Sequence, residues 1–279
     1  MPVRGPVRGP VTAPGGRRAA LRCGSPQPNR PRADRSRAVP TPDDSCGHAV
    51  VAVDGPSGAG KSSVSRGVAT ALGLRYLDTG STYRALTWWL LARGVDVQDA
   101  ARVAEHAAIP AIVAGTDPAH PTITVDGVDV AGPIRSAEVT AAVSAVSAVP
   151  AVRRRLVGLQ QAVVAAARAG GSGIVVEGRD IGTVVLPQAD LKVYLVADAA
   201  VRARRRAAQE GRAADAASAD TLDALARRDA LDSRRATSPL RAADDAVVVD
   251  ASAATLEQVI GTVVSLVRAA VQPTPAEVS

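Results

Sequence analysis

The chain has 279 residues and contains no phenylalanine, two tryptophans, three tyrosines and one methionine. An aromatic core is therefore excluded. The interior has to be built from Val, Ala and Leu, which the 47% hydrophobic content can supply. No uncharged apolar run approaches the roughly 18 residues that a membrane span needs. Cysteine is nearly absent: Cys23 and Cys46 both lie within the first 46 residues, and neither stands at metal-ligand spacing from a His or another Cys. This argues against a disulfide framework and a zinc site, and reads as two incidental thiols in a reducing compartment. The three histidines, His48, His106 and His120, fall in no motif and read as structural or surface residues. No repeat of solenoid period is present.

Charge of one sign is missing from most of the chain. The net +6 resides in residues 1–46, which hold nine Arg and three Asp; the remainder has 24 basic and 24 acidic residues. The body is thus no general polyanion binder, and it lacks the clustered aromatics that stack single-stranded bases. The same 46 residues carry nine of the 19 prolines and no apolar stretch of the secretory kind. A regular helix is excluded there, and residues 1–47 read as a disordered, solvated basic tail. With Met1 the only methionine, this tail is compatible with a start codon misassigned upstream of the true one.

What is present begins at residue 49. Residues 50–53 are Val-Val-Ala-Val, apolar and mostly β-branched, as suits a strand buried on both faces. Then come Gly55, Pro56, Ser57, Gly58, Ala59, Gly60, Lys61, Ser62 and Ser63, which carry the P-loop spacing. The glycines allow turns that aim successive N–H groups at an anion, and the helical pattern from Lys61 brings the positive end of a helix dipole to it. Lys61 can reach the β- and γ-phosphates of a nucleoside triphosphate, and the Ser62 hydroxyl can face Mg²⁺.

Beyond this loop, strands are expected at 49–54, 74–77, 174–176, 191–196 and 246–249. Helices are expected at 61–72, 80–93, 153–169, 199–209, 219–235 and 254–270. Alternation of this kind implies an α/β fold with one five-stranded parallel sheet flanked by helices. Residues 95–150 break the rhythm. Short β-like pieces at 111–113 and 122–125, with an Asp126-Gly127 turn, read as an inserted small antiparallel subdomain.

Charged groups collect where strands end, which is where such sheets bind ligands. Asp78-Thr79-Gly80-Ser81-Thr82-Tyr83-Arg84 follows the second strand, and Glu177-Gly178-Arg179-Asp180-Ile181-Gly182-Thr183 the third. Arg202, Arg204, Arg205 and Arg206 open a helix after the fourth, ahead of a polar, weakly patterned stretch that suits a mobile lid. Arg228, Asp232 and Arg235 are spaced to share one helix face, which an ion-pair ladder would also explain.

These motifs, together with Ile134-Arg135-Ser136 and Arg-Asp-x-x-Asp-x-x-Arg, occur in the order and rough spacing of bacterial cytidylate kinases, and the chain resembles that family over about residues 48–270. The resemblance implies a nucleoside monophosphate kinase fold: a kinase domain over 48–273, an acceptor part with its insertion over about 78–153, a lid over about 202–225, and a short tail at 274–279. It implies transfer of the γ-phosphoryl of ATP to CMP or dCMP with Mg²⁺. By analogy Thr79, Arg84, Arg179 and Arg235 clamp the acceptor phosphate, with Tyr83 beside them; Ser144, Arg153 and Asp180 read cytosine; Arg228 and Asp232 contact the ribose; Arg205 and Arg206 are lid cations acting with Lys61 on the phosphoryl in flight. A cytoplasmic monomer with no nucleic-acid or membrane partner is expected. Three rivals stand beside this reading. A GTPase switch needs an Asn-Lys-x-Asp stretch, and the only asparagine is Asn29. A P-loop kinase for another acceptor, such as UMP, AMP or a metabolite, differs in the acceptor it uses. An ATP-using nucleic-acid-binding protein would rely on the basic tail.

Overall fold

The computed structural model describes residues 44–209, 219–233 and 239–272. The first expected strand forms as β1 (Val50–Asp54), buried along its whole length. Its side chains alternate between two cores. Val51 and Val53 pack with Val64, Val68, Val259 and Val263, whereas Val50 and Ala52 pack with Leu77, Val164 and Ile174. A strand that serves two cores has no solvent face, hence the unbroken apolar run. The chain passes through the Gly-rich loop into α1 (Lys61–Leu72), then β2 (Arg75–Asp78) and α2 (Thr79–Ala92).

The insertion follows as α3 (Ala100–His106), a three-stranded antiparallel sheet of β3 (Ile112–Ala114), β4 (Ile123–Val125) and β5 (Val128–Asp129), and α4 (Ala137–Ala148). Asp126 takes φ 51° and Gly127 φ 81° in the β4–β5 turn. Leu86, Trp89 and Leu90 of α2 pack with Ile112, Ile123, Val143 and Val146 in a core separate from the two that cover the large sheet. The chain returns through α5 (Pro150–Ala169), β6 (Ile174–Gly178), β7 (Leu191–Val196), α6 (Ala199–Gln209), α7 (Ala219–Ser233), β8 (Val247–Asp250) and α8 (Leu256–Val271). The large sheet is parallel throughout, in the order β2-β6-β1-β7-β8. The carboxyl ends of β1, β2 and β6 lie side by side, with Asp54 in register with Gly178 and Asp78 with Glu177.

Two sequence expectations change. The insertion holds α3 and α4 as well as its sheet. And Cys46 belongs to the folded body: residues Asp44–His48 form a 3₁₀ turn, and the Cys46 side chain is 2% exposed against Val51 and Val267's cluster. The Gly173 N–H donates to the Gly47 carbonyl at 2.6 Å, so residues on the tail side of the expected boundary at 47/48 pack with the body. The expected tail at residues 1–43, part of the expected lid at 210–218, and residues 273–279 lie outside the described residues. None of the described helices is long and apolar enough to cross a membrane.

Candidate active site

The loop after β1 starts at Gly55, where φ is 149° and a Cβ would run into the Leu195 carbonyl. It ends at Gly60, which takes the left-handed φ of 99° and caps α1 without a side-chain bond. The first N–H groups of α1 therefore face outward with the helix dipole behind them, as an anion site requires. Lys61 Nζ donates to the carbonyls of Gly55 at 2.8 Å and Pro56 at 2.9 Å. Ser57, Gly58, Gly60, Lys61, Ser62 and Ser63 line a cleft of about 540 Å³. Ala59 instead turns into the core, fully buried.

The floor of this cleft is a buried acidic group. Glu177, 3% exposed, accepts from the Tyr76 hydroxyl, and the Ser62 hydroxyl bonds to it as well. Burial, reinforced by the Asp78 carboxylate, pushes Glu177 up to about 7, with Lys61 opposing. Burial and the neighbouring Glu177 and Asp78 charges raise the Tyr76 phenol well above its ordinary range. No group of three His, Cys, Asp or Glu side chains is placed to hold a metal among the described residues. The donors that do meet, the Ser62 hydroxyl and the Glu177 and Asp78 carboxylates, are hard oxygens. They fit Mg²⁺, which keeps several waters and takes most other ligands from phosphate.

The cleft continues along the same wall. Thr79 lines the cleft and its hydroxyl donates to the Glu177 carbonyl at 2.7 Å. Arg84, one turn along α2, donates to the Ile134 carbonyl at 3.1 Å and the Thr140 hydroxyl at 3.0 Å. Burial and the nearby Arg206 cation lower its pKa. Tyr83 lines the cleft below the Arg153 guanidinium, which lies 5.5 Å from the ring centre. Arg153 is ion-paired with Asp180, both nearly inaccessible, and also donates to the Ser147 carbonyl at 3.2 Å. Ser144 lines the same end. Arg179 spans the two sides: its Nη1 donates to Gly55 O at 3.0 Å, while Asp229 and Asp232 of α7 lie at 3.5 and 3.3 Å.

The two arginines expected to act together in the lid are placed differently. Arg206 lines the cleft. Arg205 ties α6 to the Ala59 carbonyl at 3.0 Å and the Ala251 carbonyl at 2.8 Å. Arg228 belongs to α7, and Arg235 lies outside the described residues. Two further residues, Asp229 and Asp54, had no role in the sequence reading, and Arg202 figured there only among the basic residues that open a helix ahead of the lid. Asp229 accepts the Ser57 N–H at 3.1 Å and pairs with Arg202, whose guanidinium also reaches the Ser57 carbonyl at 3.0 Å. Asp54, behind the loop, accepts the N–H groups of Ile181 and Gly182 at 2.8 Å each. Asp229 stood inside the quoted Arg-Asp-x-x-Asp-x-x-Arg stretch; nothing in the sequence marked Asp54 apart from its neighbours.

One cleft thus joins an anion-binding loop, cations that include Lys61, Arg84, Arg179 and Arg206, and a polar end around Arg153 and Asp180. Among the described residues it offers no activated nucleophile. That combination suits phosphoryl transfer, in which positioning and charge cancellation supply most of the rate. Known proteins agree. The family model described as cytidylate kinase matches residues 51–269. The cytidylate kinase of Streptomyces coelicolor is 61% identical over 219 residues, which is 78% of this chain and 92% of that protein. That of Streptomyces griseus subsp. griseus is 59% identical over the same share of each. That of Mycolicibacterium paratuberculosis is 53% identical over 223 residues, 78% of this chain and 95% of that protein. The chain belongs to the cytidylate kinase family.

Proposed function

We propose that this ATP-dependent kinase moves the γ-phosphoryl group of ATP to CMP, and also to dCMP, giving ADP and the pyrimidine nucleoside diphosphate. The observation that carries the reading is the Gly55 carbonyl, which receives both Lys61 of the donor loop and Arg179 of the acceptor wall. Two phosphates held by these two cations meet head to head. Loop N–H groups from Gly58 to Ser63 and Lys61 cradle the triphosphate. Arg84 and Arg179, with Thr79 and Tyr83 beside them and Arg235 joining from beyond α7, hold the acceptor phosphate. Arg228 and Asp232 take the ribose. Arg206 reaches the transferring group from the cleft wall; Arg205 would join it only after leaving the Ala59 and Ala251 carbonyls.

Mg²⁺ arriving with ATP would be held by the Ser62 hydroxyl, with Glu177 and Asp78 taking its waters, and would neutralise charge between the β- and γ-phosphates. Base choice falls to Asp180, Arg153 and Ser144. Cytosine offers an amino group to a carboxylate, whereas uracil offers a carbonyl that the carboxylate repels. A site built from paired polar groups rejects the wrong base strongly because its own partners are left unsatisfied. The zero net charge beyond residue 46 supports small-molecule substrates over nucleic acid. On this reading the enzyme works as a cytoplasmic monomer.

The test is ADP release with CMP, dCMP, UMP and AMP as acceptors. CMP and dCMP should exceed UMP by about 10²-fold or more in kcat/KM, the range a mispaired polar site produces. Asp180→Asn should narrow that gap. Equal use of CMP and UMP by the unaltered enzyme would overturn the acceptor assignment.

A further inference from the structure

Asp54 is the last residue of β1, 4% exposed, and directly precedes the phosphate-binding loop. Its carboxylate grips the chain that leaves β6. Oδ1 accepts from the Ile181 N–H and Oδ2 from the Gly182 N–H, both at 2.8 Å. These two residues open a π-helical turn, Ile181–Val185, in which Asp180 stands at the N-cap position and makes no side-chain cap bond. The Asp54 carboxylate thus takes the place of the missing cap. Asp180 is freed to pair with Arg153. Immediately before it, Arg179 is held by the carbonyl of Gly55, the residue next to Asp54.

The group pays for this position. Burial pushes its pKa up to about 6, the nearby Asp180 charge adds to the rise, and the two N–H donors and Lys61 only partly offset it. A strand end could be closed at lower cost by an uncharged residue. No ion pair to a cation is formed by Asp54 among the described residues; its partners are the two amides.

We propose that Asp54 is a positioning residue that sets the acceptor-binding pair Arg179-Asp180 at a fixed distance from the donor loop. The Asp54 carboxylate and the Gly55 carbonyl form one joint. The carboxylate fixes the turn that follows Asp180, the carbonyl fixes the Arg179 side chain, and the same carbonyl receives Lys61. The proposal rests on the assignment of Arg179 and Asp180 to the acceptor. Loss of the clip releases the acceptor side and leaves the nine residues of the donor loop with their own backbone geometry.

Asp54→Asn tests it, since the new amide must turn an NH₂ toward one of the two N–H donors. With acceptor varied, kcat/KM should fall at least tenfold, while the ATP dissociation constant measured without acceptor should change less than twofold. The Ile181 and Gly182 amides should exchange with deuterium faster, with β1 and β6 amides unchanged. Equal loss of ATP binding and acceptor turnover, or unchanged acceptor kinetics, would overturn the proposal. If Asp54→Asn does not fold, Gly182→Ala gives the same split in smaller measure; its Cβ would crowd Lys192 Cδ at 3.1 Å, beside the Asp54 carboxylate, whose Oδ2 it would meet at an ordinary contact distance of 3.5 Å. Should another monophosphate prove to be the preferred acceptor, the split is read with that acceptor. A wrong acceptor and a wrong clip therefore give different results.

Discussion

Single side chains in this site have divided duties, and Asp54 shows the cost of one. A carboxylate whose folded pKa is raised to about 6 from 3.8 binds its proton more tightly when folded. The resulting stability is complete below the unfolded value and is lost as pH rises through the folded one. Wild-type thermal stability should therefore decline relative to Asp54→Asn as pH goes from about 4 to about 7. Melting curves of both proteins at a series of pH values check this, and a wild-type advantage that grows with pH would contradict it. Thr79 makes a related point. Its hydroxyl was expected at the acceptor phosphate, and it already donates to the Glu177 carbonyl. An acceptor phosphate would have to meet its other lone pairs through a bridging donor, or draw the hydroxyl away.

At the scale of elements, the separation of Arg205 from Arg206 decides how α6 works. Neighbouring residues on a helix point about 100° apart, so they do not share a face. Arg206 faces the cleft and Arg84; Arg205 faces the backbone of the donor loop and the end of β8. Arg206→Ala should lower kcat by about 10²-fold, the scale of losing one preorganised charge, with little change in CMP affinity. Arg205→Ala should lower the melting temperature more than Arg206→Ala does. Separate measurement of kcat, CMP affinity and melting temperature in both single variants tests the split. Equal kinetic losses with unchanged melting would make both arginines lid cations.

Elements with strong patterns were legible in the sequence: β1 and β6 are apolar on both faces up to their carboxyl ends, β7 is apolar on the face of Leu191, Val193 and Leu195, and α1 and α8 carry one apolar stripe. The insertion was less so. Ala-Glu-Val-Thr-Ala-Ala-Val-Ser-Ala-Val-Ser-Ala of α4 is small and apolar almost all round, so no face stands out until it packs on α2 and α5. Nothing local distinguishes Cys46 from the basic tail; it is buried in a cluster with residues distant in sequence, among them Val175, Val263 and Val267. The donor loop was legible as a motif because its chemistry is local. The hub at Asp229 and the clip at Asp54 join residues 172 and 127 positions apart, and no local pattern encodes such pairs.

For the whole molecule, the central claim is that one cleft brings two phosphates together and excludes water as an acceptor. Three cores carry it: two clamp the large sheet, and a third fixes the insertion to α2, so donor and acceptor walls are parts of one framework joined at Gly55. Phosphorus NMR of the enzyme with ATP, CMP and Mg²⁺ follows where the γ-phosphoryl goes. The account predicts CDP and ADP formed one for one with little inorganic phosphate, and a rate lower by orders of magnitude in Lys61→Ala with the fold intact. ADP accompanied by inorganic phosphate in place of CDP, or near-normal transfer in Lys61→Ala, would contradict it.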